Sequence, residues 1–233
     1  MKINELYNLD CEQGMELLYK ENGQCIDCIL TDPPYNLSMK NNFKSMNRTG
    51  LDYGTWDKDF DLTRWLTPAL KLLKDGGNII IFNDWRNLDI IGKELERQGC
   101  EVKSLIIWVK TNPMPRNRDR RYSSTCEFAI WATKSKKKKW TFNRQKETYE
   151  NGLFHYAVPC GKRRIHTTQK PDLLIQDILK IHTNENDMIL DPFSGSGVIS
   201  ANAYLLNRNF VAFELDKEIY IKSKEIILKD IIK

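Results

Sequence analysis

The chain has 233 residues, 41% of them hydrophobic and 29% charged, which is enough for one α/β core and short for two. No apolar run reaches the ~20 residues of a membrane helix, and Met1-Lys2-Ile3-Asn4-Glu5 lacks the basic-then-apolar layout of a signal peptide, so a cytoplasmic protein without a membrane partner is expected. The net charge of +5 conceals an asymmetry: of 36 Lys and Arg and 31 Asp and Glu, residues 103–170 hold 17 and 4, leaving 19 and 27 to the rest. A basic segment on an acidic body is the electrostatic footprint of a polyanionic partner.

In chain order, Asn8-Leu9-Asp10-Cys11 precedes an amphipathic stretch over 12–20 that reads as a helix, and the apolar run 26–30 reads as a buried strand. That strand ends in Asp32-Pro33-Pro34-Tyr35-Asn36. Consecutive prolines fix φ and remove backbone donors, so the carbonyls there face outward as acceptors. Asp32 can accept one N–H of a flat amino group and the Pro33 carbonyl the other, with Tyr35 on the ring plane. An exocyclic amine is a poor nucleophile because its lone pair is delocalised. Acceptors on both N–H bonds draw the nitrogen toward tetrahedral geometry and stabilise the charge that develops as it attacks a methyl group. Asp32, Pro33, Pro34 and Tyr35 are therefore the candidate catalytic residues, acting on a base flipped out of its stack. Taken alone, a proline-rich turn ending a strand would be mere architecture.

The polar stretch 38–57 reads as a mobile loop over that strand end. A helix over 62–74 stopped by Gly76-Gly77, a strand over 78–82, a helix over 85–98 stopped by Gly99, and strands over 104–109 and 126–132 follow. Residues 134–165 break the alternation with a lysine run, Gly152, Pro159 and Gly161, and read as an insertion. DNA binding is assigned to Asn36, Arg116, Arg118, Arg120, Arg121, Lys136, Lys137, Lys138, Lys139, Arg144, Arg163 and Arg164, interleaved with Tyr122, Trp140, Phe142 and Tyr156 that can stack on bases. Cys25 and Cys28 have C-x-x-C spacing, but no second Cys or His pair at matching distance stands out, so no metal is expected.

A helix over 171–181 leads to a strand over 188–190, the turn Asp191-Pro192-Phe193-Ser194-Gly195-Ser196-Gly197 and a helix over 196–206; a strand over 210–213, Glu214 and a helix over 217–229 close the chain. Glycines let a ligand approach the backbone, and a helix N-terminus offers free N–H groups. Glu214 stands where an acid can accept both hydroxyls of a ribose. No phosphate-gripping P-loop motif is present, and Ser200 stands where a dinucleotide fingerprint wants a third glycine or alanine. Asp191 would repel a phosphate but can hold an ammonium. S-adenosylmethionine, with an ammonium, a sulfonium and no phosphate, fits. Too little chain follows Gly197 to complete a sheet, so the strand ending at Asp32 is expected beside the strand ending at Asp191, both opening onto one crevice. The fold class is α/β, a doubly wound and mostly parallel sheet in a single domain.

These residues resemble the beta class of amino-group DNA methyltransferases, in which the catalytic motif comes first and the cofactor motif last, a circularly permuted order. Asp32-Pro33-Pro34-Tyr35 looks like the catalytic motif and Asp191 to Gly197 like the cofactor motif. Asn8-Leu9-Asp10-Cys11 is similar to the class's Gly-Asp-Cys element, with Asn8 in place of Gly, and implies Asp10 beside the cofactor adenine. His166-Thr167-Thr168-Gln169-Lys170-Pro171 is similar to its His-Pro-Thr-x-Lys-Pro element and implies Thr168 and Lys170 near the methionine carboxylate. The implied cofactor-binding set is Asp10, Cys11, Thr168, Lys170, Asp191, Phe193, Ser194, Gly195, Ser196, Gly197, Glu214 and Leu215. The resemblance makes 134–165 a target-recognition region, suggests a homodimer, and implies methyl transfer from S-adenosylmethionine to DNA. Members with Ser in place of Asp32 lean toward cytosine, so Asp32 and Tyr35 favour N6 of adenine; N4 of cytosine is the alternative. RNA, glutamine in a protein, and a non-catalytic nucleic-acid-binding role on the same scaffold are further alternatives. Pro159-Cys160 is similar to the nucleophilic Pro-Cys of cytosine-C5 methyltransferases but lies away from any strand end beside the cofactor loop.

Overall fold

The computed structural model describes residues 1–36, 60–114, 119–120, 122–135, 137–160 and 169–231, so the loop expected over 38–57 lies outside the described residues. The elements are β1 (Glu5–Asn8), α1 (Cys11–Asn22), β2 (Ile26–Thr31), α2 (Leu66–Leu72), β3 (Leu73–Asn83), α3 (Leu88–Arg97), β4 (Cys100–Lys110), β5 (Cys126–Lys134), β6 (Leu153–Tyr156), α4 (Asp172–His182), β7 (Met188–Asp191), α5 (Val198–Leu205), β8 (Asn209–Glu214) and α6 (Lys217–Ile231). The strands form one sheet in the order β1-β8-β7-β2-β3-β5-β4-β6. From β1 to β3 neighbouring strands are parallel; β5 is antiparallel to β3 and β4, and β6 is parallel to β4.

The period-2 alternation of a strand explains how one sheet serves two cores. Ile29, Ile79 and Ile81 face a cluster closed by Met15 and Leu18 of α1, Leu66 and Ala69 of α2, and Ile91 and Leu95 of α3. Cys28, Leu30, Ile80 and Phe82 face the other side, under Leu174, Ile175 and Ile178 of α4 and Val198 and Ile199 of α5. Cys28 is thus a core residue, its thiol pushed upward by burial.

Three elements differ from the sequence reading. The helix expected to run to residue 74 ends at Leu72, and β3 begins at once with Leu73, paired to Ile26. β1 and β6 are short edge-side strands whose patterns bury little: Leu6 is the one buried residue of β1, and β6 has none. The stretch 134–165 is tied into the body where it is described. Leu153–Tyr156 pair with β4; Asn143 Nδ2 donates to the Thr183 carbonyl at 3.0 Å; and Trp131 stacks on Phe142 at 5.3 Å beside His182, whose imidazole burial holds at about 3 and therefore neutral. Buried Asn78 links these parts, donating to the carbonyls of Thr141 and His182 at 2.9 and 2.8 Å and accepting from Trp131 Nε1 at 2.8 Å.

α1 packs on β8 through Gly14, where an added Cβ would run into the Phe213 ring, 2.6 Å from Cδ1. Gly14→Ala is expected to lower stability by about 1–3 kcal/mol through overpacking, despite the better helix propensity of alanine. Thermal unfolding checks this, and an unchanged or raised midpoint would contradict the close packing.

Candidate active site

Parallel pairing brings the carboxyl ends of β1, β8, β7 and β2 to one edge. Asn8 is level with Glu214, Asp191 with Ala212, and β2 lies beside β7 through Cys28 with Ile189 and Ile29 with Leu190. Asp10, Glu214, Asp191 and Asp32 consequently stand in that order along four adjacent strand ends, about 14 Å from first to last at the usual strand spacing. The expected neighbourhood of the strands ending at Asp32 and Asp191 is what the sheet contains. The Thr31 hydroxyl donates to Asp191 Oδ1 at 2.8 Å, across the seam between β2 and β7.

On the β1, β8 and β7 side, Asp10 caps α1, its Oδ1 accepting from the Glu12 and Gln13 amides at 3.1 Å, and Cys11 follows it at the buried helix start. Asn8 ties the two strand ends together, donating to the carbonyls of Glu214 and Leu215 at 2.8 and 3.0 Å, a task glycine could not perform. Glu214 Oε2 accepts from the Gly195 amide at 2.9 Å and Oε1 from the Asp216 amide at 2.8 Å. Each oxygen keeps a lone pair for a further donor such as a ribose hydroxyl. Gly195 has φ +51° with open space where a Cβ would stand, the feature of a backbone that a ligand can approach. Gly197, at φ +75°, has a different reason to be glycine: a Cβ there would meet Ile227 Cδ1 at 2.9 Å. Phe193 is held edge-on by Phe60 and Trp65 at 5.5 and 5.2 Å, and Leu215 is 70% exposed.

Asp191 has the most telling electrostatics of this half. Burial pushes its carboxyl up to about 7, against the pull of the Thr31 hydroxyl and the Phe193 amide, while Asp32 and Glu214 add to the rise. Among the described residues its Oδ2 and the Ser194 hydroxyl are buried without partners. A buried carboxylate oxygen without a donor suits a cationic group supplied from outside.

On the β2 side, Asp32 Oδ1 accepts from the Tyr35 hydroxyl at 2.5 Å, and Oδ2 accepts from Lys170 Nζ. Lys170 is 2% exposed, two residues before α4, and also pairs with Glu127 Oε2 at 3.2 Å. Burial opposes its ammonium, but Asp32 and Glu127 outweigh burial and hold its pKa above the ordinary value. Among the described residues, Asp32 and Glu127 are its carboxylate partners. Tyr35 is fixed from behind, its carbonyl accepting from Asn87 Nδ2 at 2.8 Å. Burial and the adjacent Asp32 push its phenol well upward, so it stays neutral.

The basic residues separate into two places. The β4–β5 connection starts and ends at the catalytic edge, where Arg120 and fully exposed Tyr122 lie between Lys110 and Cys126. Lys137, Lys138 and Lys139 are exposed at the opposite edge, with Lys138 Nζ 3.9 Å from Asp75 and the Lys139 carbonyl against Gly76. From Asn78, just beyond that point, β3 runs about 17 Å before reaching Asn83 at the catalytic edge. Arg144 is exposed beyond Asn143 on that far side, and Cys160 is exposed after β6. The Asn36 amide donates to the Phe60 carbonyl at 2.7 Å and accepts from the Phe60 amide at 2.9 Å, clamping residues 36 and 60 together. Thr168, Arg116, Arg118, Arg121, Lys136, Arg163 and Arg164 lie outside the described residues. Glu127, Lys110, Asn83 and Asn87 join the site unforeseen. The acid just inside the apolar run 126–132 was the one available signal for Glu127, since such a residue must find a partner in the fold.

A family model described as DNA methylase matches residues 26–225. Type II methyltransferase M.HinfI of Haemophilus influenzae is 30% identical over 253 residues, covering 98% of this chain and 69% of that protein. Among solved structures, that of the M1.HpyAVI-SAM complex is similar with a TM-score of 0.78 and 36% identity, covering 95% of this chain and 98% of that one. The PvuII DNA methyltransferase (cytosine-N4-specific) has a TM-score of 0.71 at 17% identity, covering 97% of this chain and 90% of that one, a likeness of fold alone.

The Asp191 carboxyl makes stability depend on pH. With a folded value of about 7, the unfolded chain ionises it from pH ~4 upward while the fold does not, so stability falls as pH rises through that window. Asp191→Asn removes the cost and is expected to raise ligand-free stability at pH 8 by on the order of 2 kcal/mol, with no gain near pH 4. Unfolding curves at the two pH values test this, and equal effects at both would contradict a buried, unpaired carboxylate.

Proposed function

Because the chain belongs to the DNA methylase family, we propose that it transfers a methyl group from S-adenosylmethionine to N6 of a flipped-out adenine in DNA. The observation that carries this reading is the contact across one strand seam, Thr31 to Asp191, which sets an amine-accepting motif beside a cation-accepting turn.

The similar M1.HpyAVI structure is a complex with SAM, and the residues of this chain fit that molecule. Asp191 Oδ2 would take the ammonium, Glu214 the ribose and Asp10 the adenine edge, with Gly195 leaving room for the backbone approach. When bound, S-adenosylmethionine supplies an electrophilic methyl on a sulfonium that departs as a neutral thioether. The chain does the rest by placement. Asp32 and the Pro33 carbonyl accept the two N–H bonds of the target amine, and the Asp32 charge stabilises the positive nitrogen as its lone pair forms the new N–C bond. The Tyr35 ring, tethered to Asp32 by its hydroxyl, offers the flipped base a flat wall. The choice of adenine over N4 of cytosine is supported by aspartate, not serine, at position 32.

Asp32→Ala is expected to keep cofactor binding and to lose methyl transfer by about 100-fold or more. Titration calorimetry reads the first and single-turnover transfer the second. Mass analysis of nucleosides from the wild-type product is expected to give N6-methyladenine; N4-methylcytosine instead would reverse the choice of base.

Position along the sheet ranks the basic residues as DNA contacts. Arg120→Ala with Tyr122→Ala, at the catalytic edge, is expected to weaken duplex binding by about tenfold at low salt. Replacing Lys137, Lys138 and Lys139 together by alanine is expected to cost less. The opposite ranking in a binding titration would mean that the DNA wraps to the far edge.

A further inference from the structure

Before any base arrives each Asp32 oxygen already has a donor, the Tyr35 hydroxyl on one and the Lys170 ammonium on the other. A target amine on Oδ2 competes with that ammonium for the oxygen's charge, and Lys170 is too deeply buried to retreat into water. A buried ammonium that loosens its hold on one carboxylate is destabilised unless a second acceptor is already in place. Glu127, at the start of β5, is that acceptor. It lies between two lysines, with Lys170 Nζ at 3.2 Å from Oε2 and Lys110 Nζ at 2.8 Å from Oε1. Lys110 closes β4 and lies 5.3 Å from the Trp108 ring centre. Lys110, Glu127, Lys170 and Asp32 thus form an alternating row of charges from β4 across β5 to the end of β2, balanced overall. The rings of Phe82 and Tyr35, 5.0 and 5.7 Å from Lys170 Nζ, give the ammonium a surface along which its charge remains favourable.

We propose that Glu127 is a positioning residue for methyl transfer, taking over the Lys170 ammonium as the target amine replaces it on Asp32. The role rests on the reading of Asp32 as the acceptor of that amine. Burial opposes a charge on Glu127, but Lys170 and Lys110 together hold its carboxyl below the ordinary value, so it is ionised and ready throughout neutral pH. Among the described residues the other ionisable groups around Asp32 are Tyr35, Asp191 across the β7 seam, and Asp84 near Tyr35, itself paired with Arg86 at 2.7 Å.

The test is single-turnover transfer to DNA at saturating cofactor, measured across pH for the full chain. In Glu127→Gln, Lys170 keeps Asp32 and loses its second carboxylate. The plateau rate is expected to fall about 10- to 100-fold, the acid limb to move to lower pH, and cofactor affinity to stay unchanged. Glu127→Asp is expected to restore part of the rate. Lys110→Met should act in the opposite sense: Glu127, freed of its other partner, draws Lys170 from Asp32, and the acid limb moves to higher pH. A Glu127→Gln enzyme with the wild-type plateau rate would overturn the proposal, as would acid limbs that shift the same way in both variants. Should Glu127→Gln fail to fold, the direction of the Lys110→Met shift decides, and an unmoved limb rejects the role. Wild-type activity in the same assay separates the two levels. No transfer by the wild type rejects the reading of the site and the Glu127 role with it, whereas normal wild-type transfer with an unimpaired Glu127→Gln rejects the role alone.

Discussion

A single buried hydrogen bond, from the Thr31 hydroxyl to the Asp191 carboxylate, joins residues 160 apart in the chain and holds the two halves of the active site in register. It can form only because β2 and β7 are parallel neighbours ending at the same edge. That arrangement has an energetic cost. Asp191 is buried with one oxygen unpartnered among the described residues, and its carboxyl is pushed up to about 7 by that burial. A protein selected for stability alone would place an apolar or amide side chain there; a cation-binding site keeps the acid.

Charge is distributed by task along this edge. Three acids, Asp10 after β1, Glu214 ending β8 and Asp191 ending β7, give this edge a charge that favours a cationic, phosphate-free ligand and disfavours a nucleotide phosphate. Across β2 the pattern changes to alternating pairs, where Asp32 and Glu127 each share Lys170. The excess of basic residues between 103 and 170 is accordingly not one patch. Some of them, Lys110 and Lys170, are structural counter-charges inside the site; Arg120 belongs to the connection that leaves and re-enters the sheet at the catalytic edge; Lys137 to Lys139 lie at the opposite edge of the sheet. A count of charge along the chain could not separate these roles, because the separation is made by strand direction.

The same distinction explains what was legible in the sequence. Apolar runs such as 28–30 and 188–190 announce themselves because a strand buried on both faces has no polar alternation to confuse. The adjacency of the strands ending in Asp32 and Asp191 followed from the shortage of chain after Gly197. β1 and β6 were missed because four residues at a sheet edge, few of them buried, carry almost no pattern. The clamp of the Asn36 amide on Phe60 was not legible, because nothing in the sequence pairs two positions 24 apart. Glu127 escaped because its meaning lies in Lys170 and Lys110, which reach it from other parts of the chain.

The most direct measurement is a crystal structure of the chain with S-adenosylmethionine. The ammonium of the cofactor is predicted on Asp191 Oδ2, its ribose at Glu214, and its methyl directed across the β7–β2 seam toward Asp32 and the Pro33 carbonyl. A cofactor bound at any other edge, or one that leaves Asp191 Oδ2 without a partner, would contradict the joining of these two strand ends into one active site.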